Sequence, residues 1–251
     1  MSVVDFSVRY RIGFLCVFFA LAGCAGQSRL SAEKSPADPW ESMNRPSFDF
    51  NEGLDQAIIK PVAKGYETVV PKPMRQGVTN FSRNLRTPLN GINNLLQGKG
   101  LAAANDLARF VVNSTFGIFG IFDVATANGV PMSEEDFGQT FAVWGVPDGP
   151  YVMVPLLGPR TLRDTFAIPL NFLADPLFHY NNKPVRRAIY ALRLIDVRQR
   201  LFKAEELLKG SQDRYISLRE AYLQRRRYLI HDGNPPVDEA FFDEFLEEED
   251  Y

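Results

Sequence analysis

Few side chains in this sequence can make or break bonds near neutral pH. There are two histidines, His179 and His231, and two cysteines, Cys16 and Cys24. Histidine is the usual acid or base at that pH. His179 sits in a phenylalanine-rich stretch, and His231 stands at a helix end beside Asp232 and Gly233, where it reads as a cap for free carbonyls. Neither has the neighbouring histidine or cysteine of a zinc site. No serine lies between glycines in the nucleophile-elbow pattern. Gly98 and Lys99 nearly end a phosphate-binding loop, but Gly100 replaces the hydroxyl that would hold magnesium and Asn93 the first glycine. Glu134, Glu135 and Asp123 read as solvated loop or helix caps. The expectation is a chain with no catalytic residues, no metal and no cofactor, and not an enzyme.

The remaining chemistry is the thiol of Cys24. Arg9 and Arg11 precede the apolar run Ile12 to Leu21, which is too short to span a bilayer and reads as an export signal over residues 1–23. Leu21, Ala22, Gly23 and Cys24 resemble the lipobox of bacterial lipoproteins, which implies cleavage before Cys24 and acylation of its sulfur. An ordinary secretory signal and a short membrane anchor are the alternatives. Each acyl chain contributes about 0.8 kcal/mol per buried methylene, so two or more make attachment practically permanent. Ala25 is not the aspartate that marks inner-membrane retention in enterobacterial lipoproteins, and that resemblance implies the outer membrane, with the body on its periplasmic side. Cys16 is lost with the signal, leaving no internal disulfide.

Behind Cys24 the chain is long enough for one large domain, and no break in composition divides it. Residues 24–37, with Ser28, Ser31, Ser35 and Pro36, read as a polar tether, and at up to about 3.5 Å per residue it could hold the body tens of ångströms from the anchor. The body is expected over residues 38–236, with Trp40, Met43, Phe48, Phe50 and Leu54 starting its core. Residues 237–251 form an acidic tail, either disordered or a short amphipathic helix on Phe241, Phe242, Phe245 and Leu246. The net charge of -2 and the acidic tail argue against nucleic acid as a partner.

The elements of the body are mostly helices. Pro73 opens a segment with Met74, Val78, Phe81 and Leu85 on one face; Thr87 and Pro88 open a second that Gly98 closes, which predicts two short helices in a tight hairpin. Leu101 to Ser114 is a third, apolar except for Asn105, Arg109 and Asn113, which fall on one stripe. The glycine-punctuated run Phe116 to Phe122 is suited to lying in a bilayer rather than through it. Thr140 to Val146 and Tyr151 to Val154, separated by a Pro-Asp-Gly-Pro turn, suggest one short β-hairpin. Thr161 reads as a helix cap, with Pro169 and Pro176 forcing kinks or breaks. Two long helices follow, Pro184 to Lys209 and one capped by Ser211 that stops near Gly233. The fold class is mainly α.

Four blocks in order resemble the MlaA (VacJ) family of outer-membrane lipoproteins. They are DPWESMNRPSFDFNEGLD from Asp38, NFSRNLRTPLNGINNLLQGK from Asn80, RFVVNSTFGIFGIFDVA from Arg109 and EDFGQTFAVWGVPDGPYVMVPLLGPRTLRD from Glu135. Tyr215, Arg219, Glu220, Tyr222, Arg225, Arg226 and Gly233 complete the pattern; Met43, Phe119, Pro147 and Asp148 depart from it. The resemblance implies a helical ring in the inner leaflet of the outer membrane, whose amphipathic channel takes mislocalised phospholipid from the outer leaflet. It also implies association with a trimeric porin and delivery of lipid to a periplasmic carrier of the MlaC kind. On that reading Asn105, Arg109 and Asn113 are the channel-wall candidates, with Arg109 attracting phosphate. Phe116, Ile118, Phe119, Ile121 and Phe122 would border lipid, and Arg225, Arg226 and Arg227 would meet headgroups or the carrier. A structural envelope tether and a lipid hydrolase are the competing readings.

Overall fold

The structure is a computed structural model that describes residues 35–207 and 210–236. Cys24, the expected signal, most of the expected tether and the acidic tail lie outside the described residues. Residues 35–37 were expected in the tether but belong to the body: Asp38 N donates to Ser35 O, and the Ala37 carbonyl accepts from Tyr151 N at 2.9 Å.

The body is mainly α with one β-hairpin. Helix α1 (Glu41–Leu54) runs through a π-helical turn (Asp55–Ile59) into α2 (Lys60–Val69). Val70 and Pro71 are extended, which ends α2 and starts α3 (Lys72–Leu96) with Pro73 in its first turn. The expected pair of short helices is instead this one helix, continuous through Pro88. Proline there forfeits a backbone hydrogen bond, but α4 (Gly100–Thr115) lies antiparallel along α3 and braces it on both sides of Pro88. Asn84 Nδ2 donates to Ser114 Oγ at 3.0 Å and Asn94 Nδ2 to Asp106 Oδ2 at 2.8 Å.

After α4 the chain turns back through Gly117 and Gly120. A Cβ on Gly117 would stand 2.2 Å from the Phe122 carbonyl oxygen; one on Gly120, where φ is +90°, would stand 2.4 Å from Asn84 Cβ. Between them Ile118 and Phe119 adopt φ of 50° and 55°, a region that non-glycine residues enter at a cost. Their side chains are 57% and 73% exposed.

Asp123 caps the short α5 (Val124–Ala127), and Asp136 caps α6 (Phe137–Val143) by accepting from Gln139 N. Strand β1 (Tyr151–Val154) pairs antiparallel with β2 (Gly158–Thr161), Tyr151 opposite Thr161. The hairpin therefore exists, with a different partner from the one expected. Thr140 to Val143 are helical because Asp136 and Gln139 form a capping pair at the preceding turn, and that local bond outweighs the β-propensity of Thr140 and Val143.

Thr161 caps α7 (Leu162–Ala174), accepting from Asp164 N; Pro169 does not end that helix, and Pro176 follows it in a 3-10 turn (Pro176–His179). Helix α8 (Lys183–Arg200) is capped by Asn182, and the long helix expected through Lys209 breaks at Leu201 before α9 (Phe202–Leu207). Asp213, not Ser211, caps α10 (Arg214–Ile230).

The distribution of polarity is inverted. Among the described residues 22 buried side chains are polar or charged and 8 are hydrophobic, while 35 large hydrophobics are exposed. The apolar cluster that exists joins Tyr151, Met153 and Tyr215, with Phe48 and Tyr222 packed against it. Tyr215 edges onto Tyr151 at 6.1 Å and donates to buried Asp38, which also accepts from Asn44 Nδ2 at 2.8 Å. A water-soluble body would place its apolar groups inside. Among the described residues no helix is long and apolar enough to cross a membrane.

Candidate functional site

One face of α3 lines two adjoining cavities. Gln76, Asn80, Arg83, Thr87 and Asn90 recur at alternating steps of four and three, which keeps them in register on a helix. Gln76, Asn80 and Arg83 line a cavity of about 690 Å³ with Asp123, Thr126 and Val130. Arg83, Thr87 and Asn90 line another of about 340 Å³ with Arg86 and the loop Met132 to Asp136. Arg83 and Met132 border both.

The second cavity is rich in cations. Its lining holds seven arginines, Arg83, Arg86, Arg160, Arg193, Arg200, Arg225 and Arg226, against three carboxylates, Glu134, Glu135 and Asp136. Each carboxylate has a cation of its own: Glu134 pairs with Arg225 at 2.8 Å, Glu135 with Lys99 at 3.3 Å and Asp136 with Arg226 at 2.6 Å. Arg193 pairs with Asp175 and Arg200 with Asp196. The guanidinium groups of Arg83, Arg86 and Arg160 have no hydrogen-bonded or ion-paired partner among the described residues. Arg160 Nε and Arg193 Nε and Nη2 are buried donors without an acceptor.

Around the cavity the charges are held by geometry. Burial pushes the Asp136 carboxyl up, but hydrogen bonds and charge from Arg226 outweigh it and hold the group at about 2. Arg226 also reaches Asp164 Oδ1 at 2.9 Å, and Tyr222 donates to Asp164 Oδ2 at 2.6 Å, so α6, α7 and α10 are joined at one point. Gly138 makes room for this junction, since a Cβ there would stand 2.3 Å from Asp164 and 2.4 Å from Arg226. Burial raises the carboxyl of Glu135 despite a hydrogen bond from Gln97; Glu135 is buried, not the solvated loop acid expected.

The stripe on α4 behaves differently from expectation. Arg109 is 3% exposed and lines neither cavity: Nη2 meets both oxygens of Asp123 at 2.9 and 3.0 Å, and Nη1 donates to the Val130 carbonyl. Asn113 Nδ2 donates to the same Asp123 and its Oδ1 accepts from Ala125 N. Arg109 and Asn113 thus fasten α5 to α4, while half-buried Asn105 joins neither cavity nor this cluster. Both cavities are lined from α3, whose polar repeat at helical spacing was present in the sequence but hidden by the division of α3 at Pro88.

Phe116, Ile118, Phe119, Ile121 and Phe122 are all exposed, between 42% and 77%. The three expected headgroup arginines part company. Arg225 and Arg227 are exposed, whereas Arg226 is buried in its carboxylate pairs and cannot serve as a surface contact. His231 Nδ1 lies 2.8 Å from the Arg227 carbonyl and His179 Nε2 2.7 Å from that of Leu173, which are capping contacts. Among the described residues no group of three or more histidine, cysteine or acidic side chains could hold a metal ion.

The family model of the MlaA lipoprotein matches residues 36–229. The chain belongs to the MlaA lipoprotein family. It is 34% identical over 220 residues to the intermembrane phospholipid transport system lipoprotein MlaA of Escherichia coli K12, covering 85% of each chain. Identity to the protein of that name from Haemophilus influenzae is 32%, over 85% of this chain and 87% of that one. An uncharacterised Rickettsia bellii protein is 34% identical over 82% of this chain and 81% of its own length. A solved chain, from work described as the structural basis for maintenance of bacterial outer membrane lipid asymmetry, superposes with a TM-score of 0.68 at 36% identity. It is covered to 98%, over 77% of this chain. The expected MlaA kinship and mainly α architecture with one hairpin are therefore established.

Proposed function

We propose that this MlaA lipoprotein carries phospholipid at the outer membrane, drawing headgroups from the outer leaflet through the α3-lined cavities toward the periplasm while acyl tails stay in lipid. The observation that carries the reading is the inverted body, with polar and charged groups inside and 35 large hydrophobics exposed. Moving a charged headgroup through hydrocarbon is costly, and a wall of guanidinium, amide and hydroxyl groups replaces the lost hydration. The names of the Escherichia coli and Haemophilus influenzae relatives support the same cargo.

On this reading Cys24 carries the acyl anchor in the outer membrane, and Phe116, Ile118, Phe119, Ile121 and Phe122 lie in the leaflet. Gln76, Asn80, Arg83 and Arg86 take the place of Asn105, Arg109 and Asn113 as channel wall. Arg225 and Arg227 meet headgroups or a soluble periplasmic carrier, and a trimeric porin holds the body in the membrane. Transport of this kind makes and breaks no bonds, so no catalytic residue, metal or cofactor is required.

The test is phospholipid exposed on the cell surface, measured in a deletion strain with and without the restored gene. Deletion is expected to raise it and the intact chain to lower it, while Cys24→Ala fails to. Unchanged surface phospholipid on deletion supports a structural tether, and phospholipid cleavage by the purified chain supports a hydrolase; either result overturns transport.

A further inference from the structure

The charge of the smaller cavity bears on which lipids pass, given the transport reading above. Its three carboxylates are outnumbered by seven arginines, and each already lies beside a cation, Arg225, Lys99 or Arg226, so the lining carries surplus positive charge. Three guanidinium groups, those of Arg83, Arg86 and Arg160, have no partner, and Arg193 keeps two buried donors unfilled. Planar guanidinium groups hold phosphate through paired hydrogen bonds, and their charge repels a second cation carried beside that phosphate. Arg83 is the charged side chain common to both cavities and sits at their junction with Met132.

We infer that the passage favours anionic glycerophospholipid headgroups, such as phosphatidylglycerol, over zwitterionic phosphatidylethanolamine, and that Arg83 at the junction of the two cavities is a specificity-determining residue. Both headgroups offer the phosphate; only the second brings an ammonium group, which the surplus guanidinium charge of the lining repels.

The experiment incubates the purified, lipidated full chain with mixed micelles of equimolar phosphatidylglycerol and phosphatidylethanolamine and measures the ratio of the two lipids that remain bound. A preference of about threefold for phosphatidylglycerol is expected, the scale of one partly exposed ion pair. Arg83→Gln is expected to bring the ratio close to one and Arg83→Lys to preserve most of it. Arg187→Gln, at an exposed position outside both cavities, is expected to change nothing. Because Arg83 is exposed and unpaired, its variants keep the fold. Bound lipid at the input ratio in the unaltered chain overturns the selectivity, and a preference that survives Arg83→Gln overturns the assignment to Arg83. Absence of any bound lipid is a different outcome, which overturns the transport reading together with this one.

Discussion

Arg109 and Asp123 face each other across 2.9 Å, the arginine 3% exposed and the carboxylate 22%. Their pairing is shared with Thr126 and Asn113, so the two charges fasten the segment after the Phe116 to Phe122 turn back onto α4. Arg109→Ala leaves a partly buried carboxylate without its cation, and such losses cost about 3 kcal/mol. Chemical unfolding in detergent is expected to show a drop of that size. A fully stable Arg109→Ala that loses lipid transport alone would return Arg109 to the channel wall.

The Asp136–Arg226 pair makes stability depend on acid. Asp136 ionises at about 2 in the folded chain against an ordinary value of 3.8, so the unfolded chain binds the proton more readily. Its contribution, about 2 kcal/mol by linkage, is complete above pH 4 and is lost as pH falls toward 2. Unfolding free energies compared between pH 5 and pH 2.5 are expected to fall, and Asp136→Asn is expected to flatten that slope while lowering stability at neutral pH.

Gly120 and Gly98 both adopt positive φ, +90° and +79°, but only Gly120 is crowded, with Asn84 in the place of a Cβ. Gly120→Ala is expected to cost about 3 kcal/mol, because strain and overlap add. Gly98→Ala, with open space around it, is expected to cost about 1 kcal/mol from strain alone. Thermal unfolding of the two variants checks the order; equal losses would remove the argument from close approach.

Phe116 and Phe119, 77% and 73% exposed, are expected to bind the leaflet directly. In a Cys24→Ala chain without its anchor, each of Phe116→Glu and Phe119→Glu is expected to weaken binding to phospholipid vesicles about tenfold, the scale of one buried aromatic ring. Vesicle flotation measures it, and unchanged binding would place this turn outside lipid.

Much of the helical order was legible because caps and periodicity are local. Thr161 and the span of α4 are where the residues put them. The misplacements share one physical cause, competition from contacts distant in sequence or from a cap. Pro88 carries a genuine stop signal, yet α3 continues through it, braced by asparagine contacts to α4 on either side. Thr140 to Val146 suit a strand, but the Asp136 cap starts a helix first. The polar stripe of α4 suits a channel wall with Arg109 attracting phosphate, but in a body with a polar interior such a stripe also serves to fasten neighbouring segments, as Arg109 and Asn113 do through Asp123. The α3 stripe, interrupted by no apolar residue at Gln76, Asn80, Arg83, Thr87 and Asn90, could have been found by following period 3.6 across the proline.

Reactivity of single thiols toward a membrane-impermeant reagent, measured on the chain in its own outer membrane, tests the wet interior and greasy exterior together. After Cys16 the sequence has no cysteine except Cys24, which the proposed acylation blocks, so each introduced thiol reports alone. Asn80→Cys, Arg83→Cys and Arg86→Cys are predicted to react, and Phe116→Cys and Phe119→Cys to stay protected until detergent is added. Protected cavity positions alongside freely labelled phenylalanine positions would contradict the account.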